Sequence, residues 1–159
     1  MHASTPKTFC SRPYLYETPY EYIESINYLI MQIKYFKNVK LKIRLRQTPE
    51  CDYDVLKNLI KFNKQCSFSD EINFYNDLSS SNALISYSST TIEETLNLNI
   101  PVALYEGKNK YQHISVGNND SEFIYFLNQN NFHDKIRKIL MNANRMNNTN
   151  NYNDKWITN

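Results

Sequence analysis

Four consecutive hydroxyl residues, Ser88-Ser89-Thr90-Thr91, stand directly behind a short apolar run, Ala83-Leu84-Ile85-Ser86-Tyr87. A run of that kind reads as a strand buried on both faces of a parallel sheet. The hydroxyls then mark a helix start, where side-chain oxygens and free backbone N–H groups meet. Ile92 to Leu98 is the helix, Pro101 closes the connection, and Val102-Ala103-Leu104-Tyr105 is the next strand. A helix start behind a buried strand attracts anions, because its first N–H groups lack partners and the helix dipole is positive there. Open α/β sheets bind ligands at the same strand ends. The indicated chemistry is the binding of a phosphate-bearing ligand, a nucleotide above all. The same cluster also serves as a plain helix cap.

Other residues extend the site. Glu94 sits one turn from Thr90 and Thr91, so its carboxylate reaches the same crevice. Arg44 and Arg46 close an alternating segment in which Val39, Leu41, Ile43 and Leu45 interleave with Lys40, Lys42, Arg44 and Arg46. A planar guanidinium suits phosphate; a solvated strand edge is the competing reading. Asp52-Tyr53-Asp54 has the spacing of a DxD metal signature, but it falls at a helix start, where acidic residues are expected. His113 is read as a surface histidine.

These residues need a frame, and the periodicity supplies one. Residues 1–17 are polar and read as an irregular arm. Thr18-Pro19 opens a helix to about Phe36, with Ile23, Ile26, Ile30 and Ile33 on its buried stripe and Tyr22 and Leu29 broadening it. Val39 to Arg46 is a strand. Asp52 starts a helix to about Phe62 with Val55, Leu56, Leu59 and Ile60 as its apolar face. A short strand is expected at Cys66-Ser67-Phe68, then a helix from Ser69 to about Leu78. Gly107 to Asn119 reads as a loop. Asp120 starts a helix carrying Phe123, Ile124, Phe126 and Leu127, and a last helix runs from about Phe132 to Ala143. Residues 18–143 form the domain, and 144–159 are an Asn-rich tail in which Trp156 is a candidate anchor. Alternating strands and helices predict an α/β, Rossmann-like parallel sheet flanked by helices.

Composition narrows the functions. The 159 residues suffice for one domain with a core. Two glycines, Gly107 and Gly117, cannot build a GxGxxG fingerprint or a P-loop. A net charge of +2 is too small to argue for nucleic acid or an anionic membrane. Cys10, Cys51 and Cys66 lack metal-like spacing, and His2, His113 and His133 are scattered. No apolar run reaches the length of a membrane span.

At Ser88 to Pro101 the pattern resembles the donor-binding, C-terminal Rossmann-like half of GT-B glycosyltransferases and related sugar-nucleotide enzymes. That family has a Ser/Thr turn, then a Glu-Ala-Leu-like helix, then a Gly-x-Pro-like entry to the next strand. Here Ser89, Thr90 and Thr91 match the turn, and Glu94 stands seven residues before Pro101, as the family's glutamate does. Thr95 replaces the common alanine and Asn99 the common glycine. Arg44-Leu45-Arg46-Gln47-Thr48-Pro49 lies where the family has Arg/Lys-x-His-Pro, with the histidine absent. Phe74-Tyr75-Asn76-Asp77-Leu78 matches the helix before the motif strand. The resemblance spans residues 39–105 and looks closest to proteins of surface-polysaccharide biosynthesis, with CDP-glycerol phosphotransferases and sugar-nucleotide 2-epimerases as neighbours.

The resemblance implies several things. Ser88 to Thr91 and an arginine would hold the diphosphate, and Glu94 the ribose hydroxyls. The ligand would be a nucleotide sugar acting as substrate, with no separate cofactor and no metal. A second, N-terminal half or a partner subunit would supply the acceptor site, so this chain alone is expected to be inactive. The location implied is cytoplasmic, peripheral to the inner membrane face, with no nucleic-acid partner. A non-catalytic binding or interaction module and a CDP-polyol phosphotransferase half-domain are the alternatives.

Overall fold

The computed structural model describes residues 19–45, 53–70, 72–86, 90–106 and 120–153. Helix α1 is Pro19–Ile33, with proline at its first position, where its missing N–H costs nothing. Strand β1 (Leu41–Ile43), helix α2 (Tyr53–Leu59), strand β2 (Cys66–Phe68), helix α3 (Phe74–Ser79) and strand β3 (Leu84–Ser86) follow. The chain continues through α4 (Thr91–Asn97), β4 (Val102–Tyr105), β5 (Ile124–Leu127) and α5 (Phe132–Asn153).

The fold is α/β, with two small parallel sheets flanked by helices, as in a Rossmann-like half-domain. β1 pairs with β2, Leu41 opposite Cys66. β3, β4 and β5 form the second sheet, with Leu84 opposite Val102 and Val102 opposite Ile124. Side chains alternate between two cores. Leu41, Ile43, Ile85, Ala103, Tyr105 and Leu127 point towards Ile26 and Leu29 of α1, Leu56 of α2 and Ile136 and Ile139 of α5. Leu84, Val102, Leu104 and Phe126 point the other way, against Ile92 and Leu96 of α4. The first core contains residues of both β1 and β3, so one apolar layer spans the two sheets.

Several sequence expectations are corrected. Ile124 to Leu127 is a strand, not a helix: the four-residue apolar run pairs beside β4. Its turn is built by Ser121, whose Oγ accepts from the Ile124 N–H, and by Asp120, whose Oδ1 accepts from the Phe126 N–H. Helix α3 starts at Phe74, with Asn73 as its cap accepting from the Tyr75 N–H, rather than at Ser69. Ser69 stays outside the helix because its N–H donates to the Ile43 carbonyl and its hydroxyl to Asp77. β1 is shorter than 39–46 within the described residues. On α2 only Leu56 and Ile60 are buried; Val55 and Leu59 are about half exposed. Helix α5 continues to Asn153, past Ala143, since no glycine or proline interrupts that stretch.

Candidate functional site

The unit β3–α4–β4 forms as the sequence indicates. β3 and β4 are parallel neighbours, so the chain must cross over between them, and α4 makes that crossover. Thr90, Thr91 and Glu94 therefore lie just beyond the C-terminal end of β3. Thr90 is exposed and occupies the N-cap position with helical backbone angles (φ −59°, ψ −22°), and its side chain makes no capping hydrogen bond. Its hydroxyl is thus not the cap that the sequence suggested. Thr91 is half-buried in the first turn, and its carbonyl accepts from the buried Thr95 hydroxyl. Glu94 is half-buried, and among the described residues no hydrogen bond or ion pair engages its carboxylate. Ser88, Ser89 and Arg46 lie outside the described residues, as do Asp52, His113 and Trp156.

Ser86, the last residue of β3, is fully buried, and its hydroxyl has no hydrogen-bond partner among the described residues. A buried hydroxyl without a partner costs about 1–3 kcal/mol, so its position directly before the turn is notable. The sheet pleat puts it on the same side as Leu84, the side of α3 and α4.

The C-terminal end of α4 is fixed by backbone geometry. Asn99 has φ 55°, the left-handed region. Its N–H donates to Leu96 O at 2.9 Å, and the Ile100 N–H donates to Thr95 O at 3.2 Å. That pair of bonds is the Schellman termination, which wants glycine or asparagine at this position. Asn99 is the residue that stands where the resembled family commonly has glycine, and the left-handed backbone explains why those two types interchange there.

Arg44 is placed differently from the phosphate contact expected of it. Its Nη1 donates to Asp77 Oδ2 at 2.9 Å and its Nη2 to Ile72 O at 2.7 Å. The guanidinium also lies over the Phe74 ring, 5.9 Å from its centre. Lys42 Nζ donates to Asp77 Oδ1 at 3.1 Å, and the Ser69 hydroxyl donates to Oδ2. Asp77 thus joins β1, the turn after β2 and α3. Burial pushes its carboxyl up, but the bonds from Ser69, Lys42 and Arg44 together with the Lys42 charge outweigh burial and hold it below the usual carboxylate range. A small cavity lined by Lys42, Arg44, Phe74, Asp77, Leu78 and Leu84 marks where the two sheets meet. Asp77 was not singled out from the sequence. A carboxylate that is 7% exposed has no local signature, because its cations lie 33 and 35 residues away.

Other chemistry-bearing groups lie apart from the turn after β3 in the sequence. Asp54 lies in the first turn of α2. His133 Nε2 is 2.6 Å from Gln32 Oε1, with the ring among Tyr35, Phe36 and Phe132. The Cys66 thiol is buried and pushed up by that burial, against smaller opposing effects of Asn63 and Lys34. Among the described residues, no three His, Cys, Asp or Glu side chains are placed to hold a metal ion, and no helix is long and apolar enough to cross a membrane.

Comparison with family models, with curated proteins and with solved structures finds no match to this chain.

Proposed function

We propose that this chain is the nucleotide-sugar-binding half of a glycosyltransferase of surface-polysaccharide biosynthesis, working on the cytoplasmic side. The observation that carries the reading is the parallel β3–α4–β4 unit. In it Thr90, Thr91 and Glu94 follow the C-terminal end of β3, the end at which open parallel sheets in general bind ligands, after Ser86, whose hydroxyl has no hydrogen-bond partner among the described residues. In this reading the diphosphate lies against the turn after β3, and hydroxyls and backbone N–H groups stabilise charge on the leaving group. Glu94 accepts from the two vicinal ribose hydroxyls, for which a carboxylate's two oxygens are suited. Arg44 is a positioning residue that fixes the end of β1, since Asp77 and the Ile72 carbonyl already engage both of its terminal nitrogens. The acceptor and the proton-accepting base come from a second domain or subunit.

The commitment of Arg44 to Asp77 also favours a second reading, in which the domain binds nucleotide without catalysis. Titration calorimetry with UDP, GDP, CDP and CMP tests the shared premise. Binding of one nucleoside diphosphate is expected, weakly, because affinity grows with enclosure of the ligand. No heat with any of the four at millimolar ligand defeats both readings. A response to CDP and CMP alone moves the assignment to a polyol phosphotransferase. Turnover of a nucleotide sugar with the partner half present separates transferase from binding module.

A further inference from the structure

We propose that the end of the molecule where β1 and β2 begin is a docking surface for an anionic lipid bilayer. This goes beyond the nucleotide reading and stands without it.

The net charge of +2 conceals an uneven distribution. Neither residues 25–45 nor residues 55–69 contain any Asp or Glu. Within these stretches Lys34, Lys37, Lys40, Lys61 and Lys64 are all exposed. Folding brings the two stretches together. The Asn63 side chain donates to Ile30 O at 3.0 Å, and the Lys61 N–H donates to Asn27 Oδ1 at 2.7 Å. Gln65 Nε2 donates to Phe36 O at 2.7 Å and Val39 O at 3.1 Å. The lysines that the sequence spreads over thirty-one positions, 34 to 64, thus crowd the end of α1, the α1–β1 connection and the α2–β2 connection. Among the described residues none of the five is ion-paired. Asp134, at the start of α5 beside this end, is paired with Arg137 at 3.5 Å.

Apolar groups are interleaved with these charges. Tyr35 is 70% exposed, Leu59 49%, Met31 47% and Phe62 37%. Clustered lysines with exposed aliphatic and aromatic side chains are complementary to an anionic interface, in which ammonium groups meet headgroups and apolar tips enter the acyl boundary. Two features favour lipid over nucleic acid. All five cations are lysines, so the bidentate fork that arginine offers to nucleic-acid phosphates is missing. The two aromatics of the patch already have ring partners, Tyr35 against His133 and Phe62 against Phe68, while Met31 and Leu59 gain from hydrocarbon and offer nothing for base stacking.

Vesicle co-sedimentation of the full chain tests the proposal, with phosphatidylcholine vesicles against phosphatidylcholine–phosphatidylglycerol vesicles. Binding is expected only to the anionic set and is expected to weaken as salt rises. Each lysine near the surface contributes about five-fold in partitioning, so Lys37→Glu with Lys61→Glu should lower it about 25-fold or more. Met31→Ser with Leu59→Ser should lower it as well, with charge unchanged. Lys40→Glu with Lys64→Glu serves if the first charge pair alters the thermal melt. No binding to anionic vesicles at low salt, or binding unchanged by both charge pairs, overturns the proposal. Capture of a single-stranded oligonucleotide without vesicle binding overturns it in favour of nucleic acid.

Discussion

Arg44 Nη1 lies 2.9 Å from Asp77 Oδ2, tying the strand that opens the first sheet to the helix that leads into the second. β1 forms backbone ladder bonds with β2, and β3 with β4, so this side-chain bond helps hold the two sheets together. Arg44→Gln should cost about 2 kcal/mol of stability, because it removes a charge-assisted bond from a buried carboxylate. Lys42→Gln should cost less than about 1 kcal/mol, since the Lys42 side chain is 45% exposed against 21% for Arg44. Denaturant titration of the two variants checks the order; equal losses would mean that Arg44 is no anchor.

Asp77→Ala should be the most damaging change in this cluster, at about 3 kcal/mol, since it leaves the largely buried Arg44 guanidinium without its carboxylate and removes the Lys42 and Ser69 bonds as well. The carboxyl is held below its usual range, so its contribution is fully present above the unfolded-state value and is lost as pH falls through the lower folded-state value. The stability gap between wild type and Asp77→Asn should therefore be constant near neutrality and shrink in acid below the ordinary carboxylate range. Unfolding curves across that window give the answer, and a gap that widens in acid would contradict the assignment.

Asn99 should tolerate glycine and reject a β-branched residue. Its φ of 55° carries little penalty for glycine or asparagine. Asn99→Gly should stay within about 1 kcal/mol of wild type, whereas Asn99→Val should lose about 1–2 kcal/mol. Thermal melts of the pair decide it. Equal stability of the two variants would remove the backbone explanation for this position.

Glu94→Gln should weaken nucleoside diphosphate binding by about 1.5–3 kcal/mol while leaving the melt nearly unchanged. Its carboxylate has no partner among the described residues that the change would break. Calorimetry on wild type and variant measures the difference, and equal affinity would make Glu94 an ordinary surface residue.

Nucleotide binding should not need a divalent cation. The proposed diphosphate contacts are hydroxyls and N–H groups, which offset negative charge directly. Titrations with and without EDTA should superimpose. Loss of binding on chelation would return attention to the Asp52–Asp54 pair.

The amino-acid sequence determined what depends on neighbours along the chain. Pro19 opens α1, the 3.6-residue stripe from Tyr22 to Ile33 is buried, and Leu84 to Tyr105 forms strand, helix and strand. These are set by periodicity, by proline and by residues within one or two turns. Tertiary structure decided what depends on distant partners. Ile124 to Leu127 is apolar enough for either element and became a strand because β4 offered an open edge. Ser69 left the helix because Asp77 and the Ile43 carbonyl engaged it. Arg44 turned to Asp77, and five lysines gathered at one end through bonds between α1 and the chain after α2. Electrostatic pairing acts through space, so which cation meets which carboxylate is settled only when the sheets are assembled.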